Sequence, residues 1–194
     1  MYKLNAPLIL ASGSPRRKQM LEEAGIIFNI IVSNEPEEVL ENELPEEMVL
    51  RLAKLKGQSV AKNNTDSWVL SADTTVVIDN EILNKPLDNK DSFRMLSKLQ
   101  GRTHQVWGGV CIWNQSRQTG DLFSICSNVY MRELSNKEIE SYIDTGECLD
   151  KAGSYAIQGI GASLIEKVEG SYTNVVGLDL AQVICSLKKL KVID

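Results

Sequence analysis

The chain is poor in histidine, has no paired cysteines and contains no long apolar run. His104 is the only histidine in 194 residues, and Cys111, Cys126, Cys148 and Cys185 lie far apart with no CxxC spacing. That spacing argues against a zinc site or disulfide framework, and the thiols are expected to be scattered core residues. No GxSxG elbow accompanies His104, which is expected to be a hydrogen-bonded strand residue rather than a catalyst. No stretch approaches the roughly 18 apolar residues that span a bilayer. The opening Met1-Tyr2-Lys3-Leu4-Asn5 lacks the regions of a secretory signal, so no membrane partner and a cytoplasmic location are expected. A basic surplus is lacking as well. The net charge of −5 argues against a protein held to nucleic acid by general electrostatics, while leaving room for a small, locally basic pocket.

What is present is ordinary for a globular chain that buries a core: 43% apolar and 24% charged residues. The length fits one domain or two tightly joined lobes, and no repeat, low-complexity tract or linker divides residues 1–194, which we treat as a single domain. Leu8-Ile9-Leu10 predicts a short buried strand. Ser14 as N-cap and Pro15 at the first helical position predict a helix that stops at Gly25. Phe28 to Val32 suggests another strand, followed by an acidic loop from Asn34 to Glu47. Helical spacing of Val49, Leu52, Ala53 and Val60 predicts a helix from about Glu46 to Lys62. Lys56 falls on that apolar stripe, where its ammonium must snorkel out or meet an anion.

Trp68 to Ile78 predicts a strand, turned at Asp79-Asn80 into Glu81-Ile82-Leu83. A helix over Asp88 to Leu99 closed by Gly101 follows, then strands near Gln105–Trp113 and Leu122–Arg132. Ser135 and Glu138 form a capping box that starts a helix over Asn136–Asp144. Ala152 to Ser171 is glycine-rich and broken up, and Leu178 to Leu190 is the last helix. Mixed strands and helices throughout indicate an α/β protein.

Four constellations carry chemistry. Ala11-Ser12-Gly13-Ser14-Pro15-Arg16-Arg17 leads a strand through small residues into a helix start, where unpaired N–H groups and the dipole favour an anion. Ser12 and Arg16 are candidate phosphate donors there, and adjacent arginines add fork-shaped donors. The alternative for this segment is a capped surface helix with solvated arginines. In Ser71-Ala72-Asp73-Thr74-Thr75, Asp73 interrupts a β-prone run, and a carboxylate there needs a cation or metal unless it marks a turn. It could activate water or hold Mg²⁺ or Mn²⁺. Lys56, and Lys85 before Pro86, are the cationic candidates, and Glu37 in the acidic loop is a candidate metal ligand; each is also explicable as a solvated surface group. Gln158, within Asp150-Lys151-Ala152-Gly153-Ser154-Tyr155-Ala156-Ile157-Gln158-Gly159, offers a donor and an acceptor suited to a base edge.

Taken in order, LILASGSPRR, RLAKLKG from Arg51, SADTTVV from Ser71, NKP at Asn84, LSKLQGRTHQV from Leu96, DKAGSYAIQG from Asp150 and GSYTNVVGL from Gly170 resemble the successive motifs of the Maf-like family. The resemblance covers about Leu8 to Leu178. It implies a mixed twisted sheet with helices, in two lobes around a central nucleotide cleft, related to inosine triphosphate pyrophosphatases. It also implies hydrolysis of a nucleoside triphosphate between the α and β phosphates with Mg²⁺, Mn²⁺ or a similar divalent metal, and suggests a homodimer. Tyr155-Ala156-Ile157-Gln158-Gly159 is similar to the branch acting on dTTP and UTP rather than the one acting on 7-methyl-GTP. In that branch the matched positions are Asp73 as proton acceptor, with Arg16, Thr74 and Gln158 influencing substrate choice. Lys56, Lys85 and Glu37 match positions that handle phosphate and metal. Pro36, Asn84 and Asp179 depart from the usual aspartate, glycine and proline of the family pattern. A nucleotide-binding regulator of cell division, without turnover, is the alternative of another class.

Overall fold

A computed structural model describes residues 2–194. The elements run β1 (Leu8–Leu10), α1 (Pro15–Glu23), β2 (Asn29–Ile30), α2 (Pro45–Ala61), β3 (Trp68–Ile78), β4 (Glu81–Leu83), α3 (Asn89–Leu99), β5 (Thr103–Asn114), β6 (Thr119–Met131) and α4 (Asn136–Asp144). Two 3₁₀ turns follow, Ala152–Ser154 and Gly159–Leu164, then β7 (Ile165–Glu169), α5 (Tyr172–Val176) and α6 (Leu180–Lys189). The strands form one mixed seven-stranded sheet in the order β2-β1-β3-β5-β6-β7, with β4 paired to β3. β1 is parallel to both β2 and β3, whereas β3–β4 and β6–β7 are antiparallel. The expected α/β class and mixed sheet are what the chain adopts.

By contact density the chain divides into two compact units. The first comprises residues up to Asp73, then Gly108–Ile125 and Gly177–Asp194. Its strand β1 is buried at all three positions, as befits a strand with parallel neighbours on both sides. Ile9, Ala11 and Val69 pack with Val60 and Ala61 of α2. The approach of α2 to the strands is unusually close. A Cβ built at Gly109 of β5 would stand 2.2 Å from the Val49 carbonyl oxygen, and one at Gly57 would stand 2.5 Å from Ser71 Oγ. At Gly109 the neighbour is backbone and only hydrogen fits; at Gly57 a methyl would displace Ser71 Oγ from its bond to the Ala53 carbonyl. At α6, Asp179 supplies the N-cap, accepting from the Gln182 N–H at 3.0 Å, a function that proline could not perform.

The second unit comprises Thr74–Trp107 and Cys126–Val176. Its core joins Val76, Ile78 and Leu83 to Met95, Leu96 and Leu99 of α3 and to Ile139, Tyr142 and Ile143 of α4. Asp79 and Asn80 both take positive φ, 52° and 62°, the requirement of a tight I′ hairpin turn. α4 begins with the expected reciprocal cap: Ser135 Oγ accepts from the Glu138 N–H and the Glu138 carboxylate accepts from the Ser135 N–H.

Several expectations need correction. β2 spans two exposed residues rather than five, because it lies at the sheet edge and pairs only with the three-residue β1. Ser14 stands at the N-cap of α1 in extended conformation, yet its side chain makes no capping bond. The glycine-rich stretch contains a strand, β7, whose exposed Glu166, Lys167 and Glu169 hide its alternation. Of the thiols, Cys111 and Cys148 are buried and Cys126 is half-buried, but Cys185 is exposed on α6. All four are free.

Candidate functional site

In the first unit, strand and helix periodicity bring two charged side chains together. Ser71 and Asp73 are two residues apart and share a face of β3, while Ala53, Lys56 and Gly57 share a face of α2. Ser71 Oγ donates to the Ala53 carbonyl at 2.7 Å, and one step further along the same two faces Lys56 Nζ donates to Asp73 Oδ1 at 2.7 Å. Both residues are buried, Lys56 at 8% and Asp73 at 7% exposure. Of the two fates open to an apolar-stripe lysine, Lys56 takes the second and meets an anion. It meets two, since Glu37 Oε1 lies 2.5 Å from the same ammonium.

Glu37 reaches that position from the acidic loop because Arg51 pins the loop to α2. The Arg51 guanidinium donates to both carboxylate oxygens of Glu43 at 2.5 and 2.6 Å and to the Glu38 carbonyl at 2.8 Å. The mutual hydrogen bonding raises the pKa of Arg51 and lowers that of Glu43. The sequence marks Arg51 only as the first letter of a motif.

The two arginines of α1 divide their work. Arg17 does not serve as an outward-facing phosphate fork. Its Nε donates to the Gly177 carbonyl at 2.8 Å, and its Nη1 to the Ala72 carbonyl at 2.8 Å and Ser12 Oγ at 3.1 Å. Burial lowers its pKa, opposed by the negative charge of Asp73; Arg16 lowers it further and Glu37 raises it. The guanidinium thus ties together the turn after β1, the residue before Asp73 and the turn before α6. Arg16, Asp73 and Glu37 all lie within electrostatic range of it. Ser12 is buried at the same place, accepting also from the Ser14 N–H at 3.3 Å. Ser14 does not cap α1 with its side chain, and the helix opens at Pro15 and Arg16, the kind of helix start at which backbone N–H groups and the dipole favour an anion.

The remaining candidates belong to the second unit. Thr74 is half-buried on β3. Lys85 and Gln158 are both exposed. The turn bearing Lys85 is fixed through Asn84, whose carbonyl accepts from the Gly153 N–H at 3.2 Å and whose Oδ1 accepts from Thr75 Oγ1 at 3.1 Å. Asn84, the residue found where glycine is usual, thereby links the Lys-Pro turn to the segment leading to Gln158.

His104 is buried on β5, its Nε2 2.7 Å from the Tyr155 hydroxyl. It is a hydrogen-bonded strand residue, as expected. Burial pushes its pKa down to about 4. The imidazolium carries an N–H on both ring nitrogens, and Nδ1 has no hydrogen-bond partner among the described residues. The unfolded imidazole titrates near 6.5. Between pH 6.5 and 4 the unfolded chain therefore binds the proton more tightly, and stability falls as pH drops through that window. The largest contribution is about 3 kcal/mol. Urea denaturation of wild type and His104→Gln at pH 7, 5.5 and 4 should show the wild type losing more stability; equal pH slopes would count against this role.

Among the described residues no three His, Cys, Asp or Glu side chains form a metal-holding group. Glu37 and Asp73 converge on one ammonium, however, and two hard carboxylates are a donor set that Mg²⁺ or Mn²⁺ accepts when phosphates and waters supply the other ligands. No helix is long and apolar enough to cross a membrane among the described residues.

The fold is that of a HAM1 protein from Coxiella burnetii, with a TM-score of 0.56 over 95% of this chain and 99% of that one, at 13% identity. The sequence is more specific. Residues 7–190 match the model of the Maf-like proteins, and the chain belongs to that family. Its relatives include proteins named dTTP/UTP pyrophosphatase from Desulfotalea psychrophila, 43% identical with both chains fully covered, and from Clostridioides difficile, 44% identical over 94% of each. A third, from Halalkalibacterium halodurans, is 44% identical over 94% of this chain and 95% of its own length.

Proposed function

We infer that this protein is a dTTP/UTP pyrophosphatase, a hydrolase that cleaves the α–β phosphoanhydride of a pyrimidine nucleoside triphosphate to the monophosphate and pyrophosphate. The observation that carries this is the meeting of Asp73 and Glu37 on the Lys56 ammonium, in the same unit as the arginine-bearing start of α1. It occurs in a chain whose full-length relatives bear that name. Such an enzyme works on the cytoplasmic nucleotide pool as one domain over residues 1–194, needing neither nucleic acid nor membrane; a homodimer is the assembly suggested by the family.

Asp73 accepts the proton of the attacking water. Ser12, Arg16 and the N–H groups opening α1 hold the phosphates, and Lys56 and Lys85 offset charge on the leaving pyrophosphate. Glu37 and Asp73 would hold the divalent metal, which when bound draws further charge from the phosphates. Thr74 and Gln158 set substrate choice, Gln158 through an amide able both to donate to and accept from a pyrimidine edge.

Chromatographic identification of products from dTTP, UTP, CTP and 7-methyl-GTP, with Mg²⁺ or Mn²⁺ present, tests the assignment. Monophosphate and pyrophosphate should form from dTTP and UTP. Turnover confined to 7-methyl-GTP, or binding of dTTP without product, would replace it with a different pyrophosphatase or a nucleotide-sensing regulator respectively.

A further inference from the structure

The Lys56 ammonium contacts Glu37 Oε1 at 2.5 Å and Asp73 Oδ1 at 2.7 Å. It therefore occupies the position that an ion shared by these oxygens would need. A divalent ion such as Mg²⁺ demands its oxygens at about 2.0–2.1 Å, which leaves no room for an ammonium on the same atoms, and the two cations repel. Nor can Lys56 simply retire to water. It projects from the buried face of α2 and is only 8% exposed, so leaving the carboxylates requires another anion nearby. A triphosphate supplies that anion, and the flexible four-carbon stem of lysine allows the ammonium to follow it.

We propose that Lys56 is the resident counter-cation of the Glu37–Asp73 pair, and that metal gains these carboxylates only as the substrate's triphosphate draws the ammonium away. This rests on the assignment of Glu37 and Asp73 to the metal made above. One cation replaces another, so the buried carboxylate of Asp73 is compensated throughout. Metal and nucleotide then bind as a coupled unit, each raising the affinity of the other by the same factor. Lys56 acts as a positioning residue for the metal as well as a phosphate contact.

The test is titration of Mn²⁺ into nucleotide-free protein, following loss of the electron paramagnetic resonance signal of hydrated Mn²⁺. Wild type and Lys56→Arg should bind weakly. Lys56→Met should bind more tightly by roughly tenfold or more, within the usual range of coupling between sites, and adding Asp73→Asn should remove the gain. Binding by Lys56→Met no tighter than by wild type overturns the proposal, as does a gain that survives Asp73→Asn. Should Lys56→Met fail to fold, wild type decides alone. Micromolar Mn²⁺ binding without nucleotide overturns the proposal. Weak binding that tightens with α,β-methylene-dTTP, beyond that analogue's own affinity for Mn²⁺, supports it. A wild-type protein that releases no pyrophosphate from dTTP counts against the proposed activity instead, and leaves the Mn²⁺ comparison to judge Lys56.

Discussion

Asp73→Asn should lower kcat for dTTP by about 10²–10⁴-fold, the usual contribution of a general base, with KM changed far less. The replacement is nearly isosteric and keeps an oxygen for the Lys56 ammonium, which also retains Glu37 at 2.5 Å. The fold is therefore expected to survive, and a thermal melt alongside the kinetics establishes that it has. An amide cannot take a proton from water and is a poor ligand for a divalent cation. The loss should thus persist at saturating Mn²⁺. Near-wild-type turnover with unchanged metal dependence would remove Asp73 from the chemistry and leave it as a partner of Lys56 alone.

The second large effect separates two neighbours. Arg17→Ala should destabilise the protein by about 2–5 kcal/mol, because it removes the charged donor that the buried carbonyls of Ala72 and Gly177 share. The corresponding drop in Tm is about 5–15 °C for a chain of this size. Arg16→Ala should melt closer to wild type than Arg17→Ala and act chiefly on KM for the nucleotide, as the proposed phosphate contact requires. Differential scanning fluorimetry and steady-state kinetics on both variants provide the comparison. Equal melting temperatures would mean that the Arg17 hydrogen bonds contribute little, and that both arginines face the substrate.

The sequence revealed most where local chemistry and tertiary packing agree. β3 and β4 run over the residues expected because a β-prone run, carried through Asp73, meets Asp79-Asn80, two residues that tolerate positive φ. α4 begins where Ser135 and Glu138 can cap each other. Elements at the sheet edge were harder to recognise. β2 is cut short by a three-residue partner, and β7 carries charged residues at exposed positions that mask a strand period. The site was legible as a set of residue types in order, but the connections within it were not. Periodicity put Lys56 on a buried stripe and left its anion unnamed, since only the packing of α2 on β3 brings Asp73 to it. Arg17 and Arg16 look alike in sequence. Their difference arises from the carbonyls of Ala72 and Gly177, 55 and 160 residues away along the chain, which no local pattern encodes.

Exchanging helical glycine for alanine is a common route to a sturdier protein, since it restricts the unfolded chain. At position 57 the usual benefit reverses. A single methyl would press on Ser71 Oγ, and relieving that contact either turns Ser71 out of its bond to the Ala53 carbonyl or shifts the helix that carries Lys56. A residue without a side chain therefore acts as the spacer between α2 and β3 that the charge geometry relies on. Attempts to harden this enzyme should leave that hydrogen in place, or trim Ser71 to make room for its replacement.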